Sequence, residues 1–269
     1  MSKYALLALV RRGFLHAASY RLNFFGNYLG AALVVVFFSV LADFYGQARP
    51  AGLALFGGDT FTFLLIGGVT ARFFNVGFKQ YARELEHELA AGTVEPLLVT
   101  ATPAPLALLG PALWALIEGL LIAALQLALG VWLFRADLSR ADWPAALALG
   151  VLALLAVTGW GLLSAAFVLV FKRADPLSWL ADVTLYMFAG VYFPVAALPA
   201  GLQPLAWALP LSHALEALRL ALMQGRSLME LARYAWILAG FALALLPLGV
   251  LGLEAALRHA RRRGSLGHY

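Results

Sequence analysis

Six stretches of this chain are long, apolar and nearly free of charge, and they constrain its fold more than any other feature. They cover residues 22–42 with no charge, 60–78 with only Arg72, 105–134 with only Glu118, and 143–171 with none. The last two cover 177–195 with only Asp182, and 234–254, charged only at its final residue. Crossing about 30 Å of hydrocarbon takes roughly 20 apolar residues of helix. None of the stretches alternates with period two between closing turns, as barrel strands do. The expected fold is therefore an all-α membrane protein, one domain over 1–269 with six transmembrane helices. Composition agrees: 63% of the 269 residues are hydrophobic and 12% charged, with a mean hydropathy of +0.85. A soluble domain of this size has too few interior positions to hide that much apolar surface. A soluble enzyme, a disordered protein and a nucleic-acid-binding domain are excluded on that ground.

The formal charge of +5 is informative through its distribution. Placing residue 1 in the cytoplasm puts Lys3, Arg11, Arg12, Arg21, Arg72, Lys79, Arg83, Lys172, Arg173, Arg258, Arg261, Arg262 and Arg263 inside. Arg49, Arg135, Arg140, Arg219 and Arg226 then fall outside, and Arg233 sits at an outer edge. The positive-inside rule accordingly predicts that both termini are cytoplasmic. No cleavable leader is expected in residues 1–21, whose apolar run is broken by Arg11 and Arg12. On a helix, Leu6, Leu9, Val10, Gly13, Phe14 and Ala17 share one face, opposite Arg11, Arg12, His16 and Ser19. That pattern suits a helix lying in the membrane interface; a cytoplasmic extension of the first span is the alternative.

Three segments break the pattern of apolar helix and short connection. In 79–102, residues 81–91 are good helix formers and Gly92 is a natural terminator. Thr93 is placed to cap a new short helix carrying Glu95 and Pro96 in its first turn. Leu97, Leu98 and Val99 give that helix an apolar face, suited to docking a protein partner or to packing on its own bundle as a re-entrant turn. In 190–225, prolines 194, 199, 204 and 210 forbid one continuous helix, yet the segment stays apolar. Broken apolar backbone at membrane depth is tolerated only inside protein or along a cavity, so short outer re-entrant helices are expected, with Tyr192 and Trp207 at headgroup level. The third irregularity is the set of charges within spans. Arg72 and Asp182 lie close enough to a helix end to snorkel, whereas Glu118 falls roughly 20 Å beyond Pro105, near the midplane. Glu118 is thus the candidate for a pathway residue or an inter-helix polar contact. Gly26 and Gly30 form a small-xxx-small pair suited to close helix contact.

Familiar catalytic patterns are missing from the sequence. A P-loop needs Gly-Lys followed by Ser or Thr, and none of Lys3, Lys79 and Lys172 follows a glycine. There is no HExxH or GxSxG, no cysteine, and the five histidines are scattered. No metal or cofactor is expected on this chain, and any energy input must come from another one.

The residues Glu88-x-x-x-Gly92-Thr93-x-Glu95-x-Leu97-Leu98-Val99-Thr100 resemble the E-x-x-x-G-T-x-E-x-L-L-x-T-P signature of the permease subunits of type-2 ABC exporters. Thr100-Ala101-Thr102-Pro103 stands where the family has Thr-Pro directly. The outer stretch Tyr192-Phe193-Pro194 to Pro199, with Leu205, Pro210 and Glu216 to Arg219, is similar to the family's segment before its last span. The resemblance, to drug-resistance and polysaccharide-export permeases of a bacterial inner membrane, implies a transport partnership. Two permeases, identical or paralogous, would pair in membrane lipid above two separate ATP-binding subunits that hold ATP and Mg, with no role for nucleic acid. The interfacial helix and the 79–102 coupling loop would meet those subunits, through Glu84, Glu88, Gly92, Thr93, Glu95, Leu97 and Leu98. A pathway between the copies would use the second and fifth spans, with Glu118, Tyr186, Tyr192 and Phe193 as its candidate residues. Few charges within the spans point to a drug, lipid or other amphiphile as cargo. A secondary transporter or scaffold working without an ATPase is the alternative.

Overall fold

The computed structural model describes residues 3–48, 56, 59–92, 112–171 and 176–263. Among these there is no strand. The helices are α1 (Lys3–Ser19), α2 (Arg21–Ala48), α3 (Thr60–Ala90), α4 (Ala112–Phe134) and α5 (Trp143–Phe171), then α6 (Pro176–Met187), α7 (Gln203–Trp207), α8 (Pro210–Gln224) and α9 (Ala232–Arg263). A 3-10 turn, Val195–Ala197, lies between α6 and α7. Five helices, α2, α3, α4, α5 and α9, are long and apolar enough to cross a membrane.

Helix α3 is the axis of the bundle. Asp59 caps its start, accepting from Phe61 N at 3.1 Å and from the Thr62 hydroxyl. It satisfies donors that no preceding turn can reach. Thr62 in turn accepts from the backbone of Asp137 at 3.1 Å, tying this end of α3 to the α4–α5 connection. Phe63, Leu64, Leu65, Ile66 and Phe74 are buried nearly completely against α2, α5 and α8. Farther along, Tyr81, Ala82, Leu85 and Leu89 build a second apolar cluster with Leu162, Ala165 and Val168 of α5 and Leu253, Ala256 and Leu257 of α9. The helix therefore does not stop where hydropathy falls near residue 78. It continues unbroken to Ala90, because its far end keeps one face buried while charged residues occupy the other.

The densest packing joins α5 to α9. A Cβ on Gly159 would stand 2.3 Å from the Leu245 carbonyl carbon, and one on Gly249 only 2.4 Å from Gly159 O. Backbone lies on backbone here, the close approach that small residues permit between apolar helices. Pro247 sits inside α9 next to this contact.

The fifth apolar stretch differs from its expected form. Instead of one helix over 177–195, α6 covers 12 residues and ends at Met187. That is about 18 Å of rise, short of a hydrocarbon crossing. Gly190 at φ +86 and Pro194 turn the chain there. The backbone then forms the 3-10 turn, the five-residue α7 and α8, the broken helical pattern that the four prolines impose. Pro210 opens α8 and Gly225, at φ +68, closes it.

Candidate functional site

Among the described residues, two gatherings of polar side chains stand out inside this apolar bundle. The larger is a chamber beside the Ala90 half of α3, made of two adjoining cavities of about 360 and 330 Å³. Asn27 of α2, Gln80 and Arg83 of α3, and Ala115 and Glu118 of α4 line both. Arg72, Asn75 and Tyr186 close one end, and Arg12, Glu84, His87 and Glu88 the other. Helical spacing explains the α3 contribution: 72, 75/76, 79/80, 83, 87 recur every three to four residues and so share a face.

In and beside the chamber several charges are already engaged. Arg12 Nη2 donates to Glu88 Oε1 at 2.7 Å, joining α1 to the end of α3. Phe14 stands edge-on to Trp114 at 5.0 Å between centroids, adding an apolar contact between α1 and α4. Asp182 accepts from Asn75 Nδ2 at 2.6 Å and from Lys79, so α6 is fastened to α3 through a charge pair and an amide. Glu84 accepts from Gln80 at 2.7 Å. Among the described residues, Glu118 receives only a long bond, from Asn27 Nδ2 at 3.5 Å. Trp114 Nε1 is buried with no hydrogen-bond partner among the described residues.

The second polar place is a cage around Arg219 of α8. Its guanidinium donates to Gly190 O at 2.6 Å, Val191 O at 2.7 Å and Phe63 O at 3.2 Å, and lies 3.4 Å from the centre of the Phe63 ring. Arg219 is 2% exposed. It fastens the turn after α6 to α3 using donors in a fork that no other side chain offers. Arg219 is thus an interior residue of the bundle. Its sequence signal was available, since Arg219 interrupts an apolar run and follows Glu216 by three residues.

The expected site residues divide clearly. Glu118 and Glu84 line the chamber. Glu88 does too, but its carboxylate is buried and turned to Arg12. Gly92 takes φ +67 immediately beyond α3, the left-handed terminator its position predicts. Thr93, Glu95, Leu97 and Leu98 lie outside the described residues. Tyr186 and Tyr192 come together, with rings stacked at 6.3 Å and 20°, while Phe193 is half-buried in the adjoining turn. Arg72 and Glu118 line one cavity without forming an ion pair. Sequence reasoning missed Asn27, Asn75 and Gln80, whose amides look unremarkable until α2 and α3 bring them to one chamber.

Compared with known families, the chain matches the ABC-2 type transporter family over residues 4–223, from the first turn of α1 to the last turn of α8. No curated protein matches it.

Proposed function

The chain belongs to the ABC-2 type transporter family, as a multi-pass permease subunit of the kind that works with an ABC ATP-binding subunit, and from that premise we propose the following assembly and cycle. Two such permeases, identical or paralogous, pair in the inner membrane of a bacterium with both termini cytoplasmic. Two ATP-binding subunits sit beneath them and hold ATP and Mg. The 79–102 segment, including Glu84, Gly92, Thr93, Glu95, Leu97 and Leu98, meets those subunits. The sixth crossing is completed by α6 together with the segment that follows it, and α7 and α8 form the outer re-entrant cap. Cargo, a drug, lipid or other amphiphile, passes along the chamber at Glu118 and on past Tyr186, Tyr192 and Phe193.

The observation carrying this reading is the family match from α1 through α8. The fold supplies support for the coupling route. Helix α3 runs as one rigid element from the bundle centre to Ala90, and the Arg12–Glu88 pair joins it to α1. A push on the segment after Gly92 is thereby delivered to the helices lining the chamber. ATP drives such a cycle only by binding one conformation better than the other.

Co-expression of the chain with its genomic neighbours tests the assembly. A tagged chain should retain a P-loop ATPase through purification, and Gly92→Pro or Glu95→Arg should weaken both retention and ATP-driven transport in inverted vesicles. Cargo movement in ATP-free vesicles driven by an ion gradient alone would assign the chain to secondary transport instead.

A further inference from the structure

We propose that the cleft between α4 and α5 holds a zwitterionic phospholipid, with one acyl chain laid against α3 and the headgroup at the α4–α5 connection. The site goes beyond the transport reading, which it uses only to place that connection at the outer leaflet. It is also separate from the chamber. The two share no lining residue, and Phe73 of the cleft packs on Gly119 of the chamber, where an added Cβ would lie 3.3 Å from the Phe73 ring.

Consecutive helices joined by a short connection ordinarily lie side by side. Here α4 and α5, joined by residues 135–142, each pack on α3 and barely touch one another. The space left between them is a cleft of two cavities, about 620 Å³ at the connection and about 270 Å³ deeper, which share Leu127. Phe73 and Phe74 of α3 floor the deep part, with Leu127 on one wall and Gly150, Val151 and Leu154 of α5 on the other. Gly150 keeps it wide, since a Cβ there would meet nothing within 4 Å. The cleft opens sideways: Leu147 and Val151 are exposed, and nothing among the described residues covers them.

Size and charge choose the occupant. From Trp143 to Leu154 the α5 wall rises roughly 16 Å, about half of a 30 Å hydrocarbon core and so the reach of one leaflet. A helix of that length, about 10 Å across, would fill over roughly 1,000 Å³, several times the deep cavity. A single acyl chain is the narrower occupant. Apart from Thr70 and Gly150, every residue lining the deep part is hydrocarbon or aromatic, and water there would find too few partners. Charge enters only at the mouth, where Asp137 and Ser139 line the cavity beside Trp132 and Trp143, aromatic residues of the kind that sit at headgroup level. The connection sets Arg135 and Arg140 against Asp137 and Asp142, with no net charge. Asp137 and Arg140 form no ion pair with one another. Such a balanced set complements a headgroup that itself carries one ammonium and one phosphate, and it gives an anionic headgroup no advantage.

The test uses the full-length chain in dodecyl maltoside micelles, with phosphatidylethanolamine carrying a diazirine midway along one acyl chain. Photolysis and peptide mapping should place the label on residues 66–74, 120–127 and 147–154, with a yield that saturates as labelled lipid is added. Label on the exposed face of α2 should instead rise in proportion, as lipid without a site does. Gly150→Trp fills the cleft and should lower its labelling about tenfold, the affinity carried by roughly two buried methylenes. Gly150→Leu, a smaller plug, should give an intermediate loss and keeps the test decisive if tryptophan disturbs folding. Gly240→Trp, where an added Cβ likewise meets nothing within 4 Å, should leave cleft labelling unchanged. Unlabelled phosphatidylethanolamine should compete at least as well as phosphatidylglycerol. Cleft labelling that never saturates, or that survives both substitutions at residue 150, overturns the proposal, as does tighter competition by phosphatidylglycerol. A disulfide-linked dimer through Leu147→Cys overturns it as well, by assigning the cleft to a second copy of the chain.

Discussion

The guanidinium of Arg12 stands 2.7 Å from the carboxylate of Glu88, linking residues 76 positions apart across the junction of α1 and α3. The two partners are unequally placed: Glu88 is 3% exposed and Arg12 52%. Removing Arg12 takes a charged donor from a buried acid, while neutralising Glu88 leaves an arginine free to turn to water. Arg12→Ala should therefore destabilise the chain more than Glu88→Gln, by about 1–2 kcal/mol against less than about 1. Thermal unfolding in detergent, run as a double-mutant cycle, reads the difference. Additive losses would mean that the pair is a surface coincidence and transmits nothing.

Arg219 makes a second, stricter demand. Three carbonyl oxygens and one aromatic ring are arranged for a planar fork. Lysine keeps the charge but cannot reach all three, so Arg219→Lys should still lose about 2 kcal/mol or more. Gly67 closes the cage: a Cβ there would lie 2.3 Å from both Arg219 Nη2 and Val191 O. Gly67→Ala should thus destabilise by about 1–3 kcal/mol through forced displacement of backbone. Gly150→Ala, where nothing lies within 4 Å, serves as the matched control and should be neutral or slightly stabilising. A cage that tolerates alanine at 67 would not be holding the turn after α6 in place.

Much of this was legible in the sequence because the bilayer imposes length and charge rules that single residues obey. Trp143–Phe171 emerges as a helix with the bounds its hydropathy suggests, and Gly92 ends α3 for the reason glycine ends helices. Hydropathy could not indicate where α6 stops, since Gly190 and Val191 are as apolar as the helix before them; the break lies in backbone dihedrals and in carbonyls turned to Arg219. Nor could it place α3's far end, where burial of one face outweighs the charges on the other. The chamber was visible in part, at Glu118, Tyr186, Glu84 and Glu88. Its remaining members are ordinary polar residues that acquire meaning from the register of α2, α3 and α4, which no local pattern encodes.

The α5–α9 seam gives a sharp contrast between glycines. At Gly159 an added methyl would meet the Leu245 backbone, and at Gly249 it would meet Gly159 O. Neither neighbour is a side-chain end that can swing aside. Gly159→Ala and Gly249→Ala should each separate the helices and destabilise the chain by about 1–3 kcal/mol apiece, read by thermal unfolding. Gly240→Ala, on the same helix as Gly249 but with open space around it, should not. Because Gly159 and Gly249 share one contact, their effects should fall short of additive. Full additivity would place them in separate contacts and remove the seam as a unit.

Helix α2 turns a long apolar face away from the rest of its own chain. Leu22, Phe25, Leu29, Leu33, Phe37, Val40 and Phe44 are all exposed, at helical spacing. Gly26 and Gly30 lie along this helix, and a Cβ on either would meet nothing within 4 Å. The small-xxx-small pair is therefore unused among the described residues, and a second permease copy is the occupant that the dimeric reading assigns to it. The chain has no cysteine, so single introduced thiols report contacts between copies without background. Gly30→Cys in membranes should form a disulfide-linked dimer on mild oxidation, and Gly30→Leu should weaken pairing of the tagged copies. Leu147→Cys, equally exposed but on α5, should stay monomeric. Lipid against α2 predicts the opposite pattern, no linkage at residue 30 and no effect of leucine there.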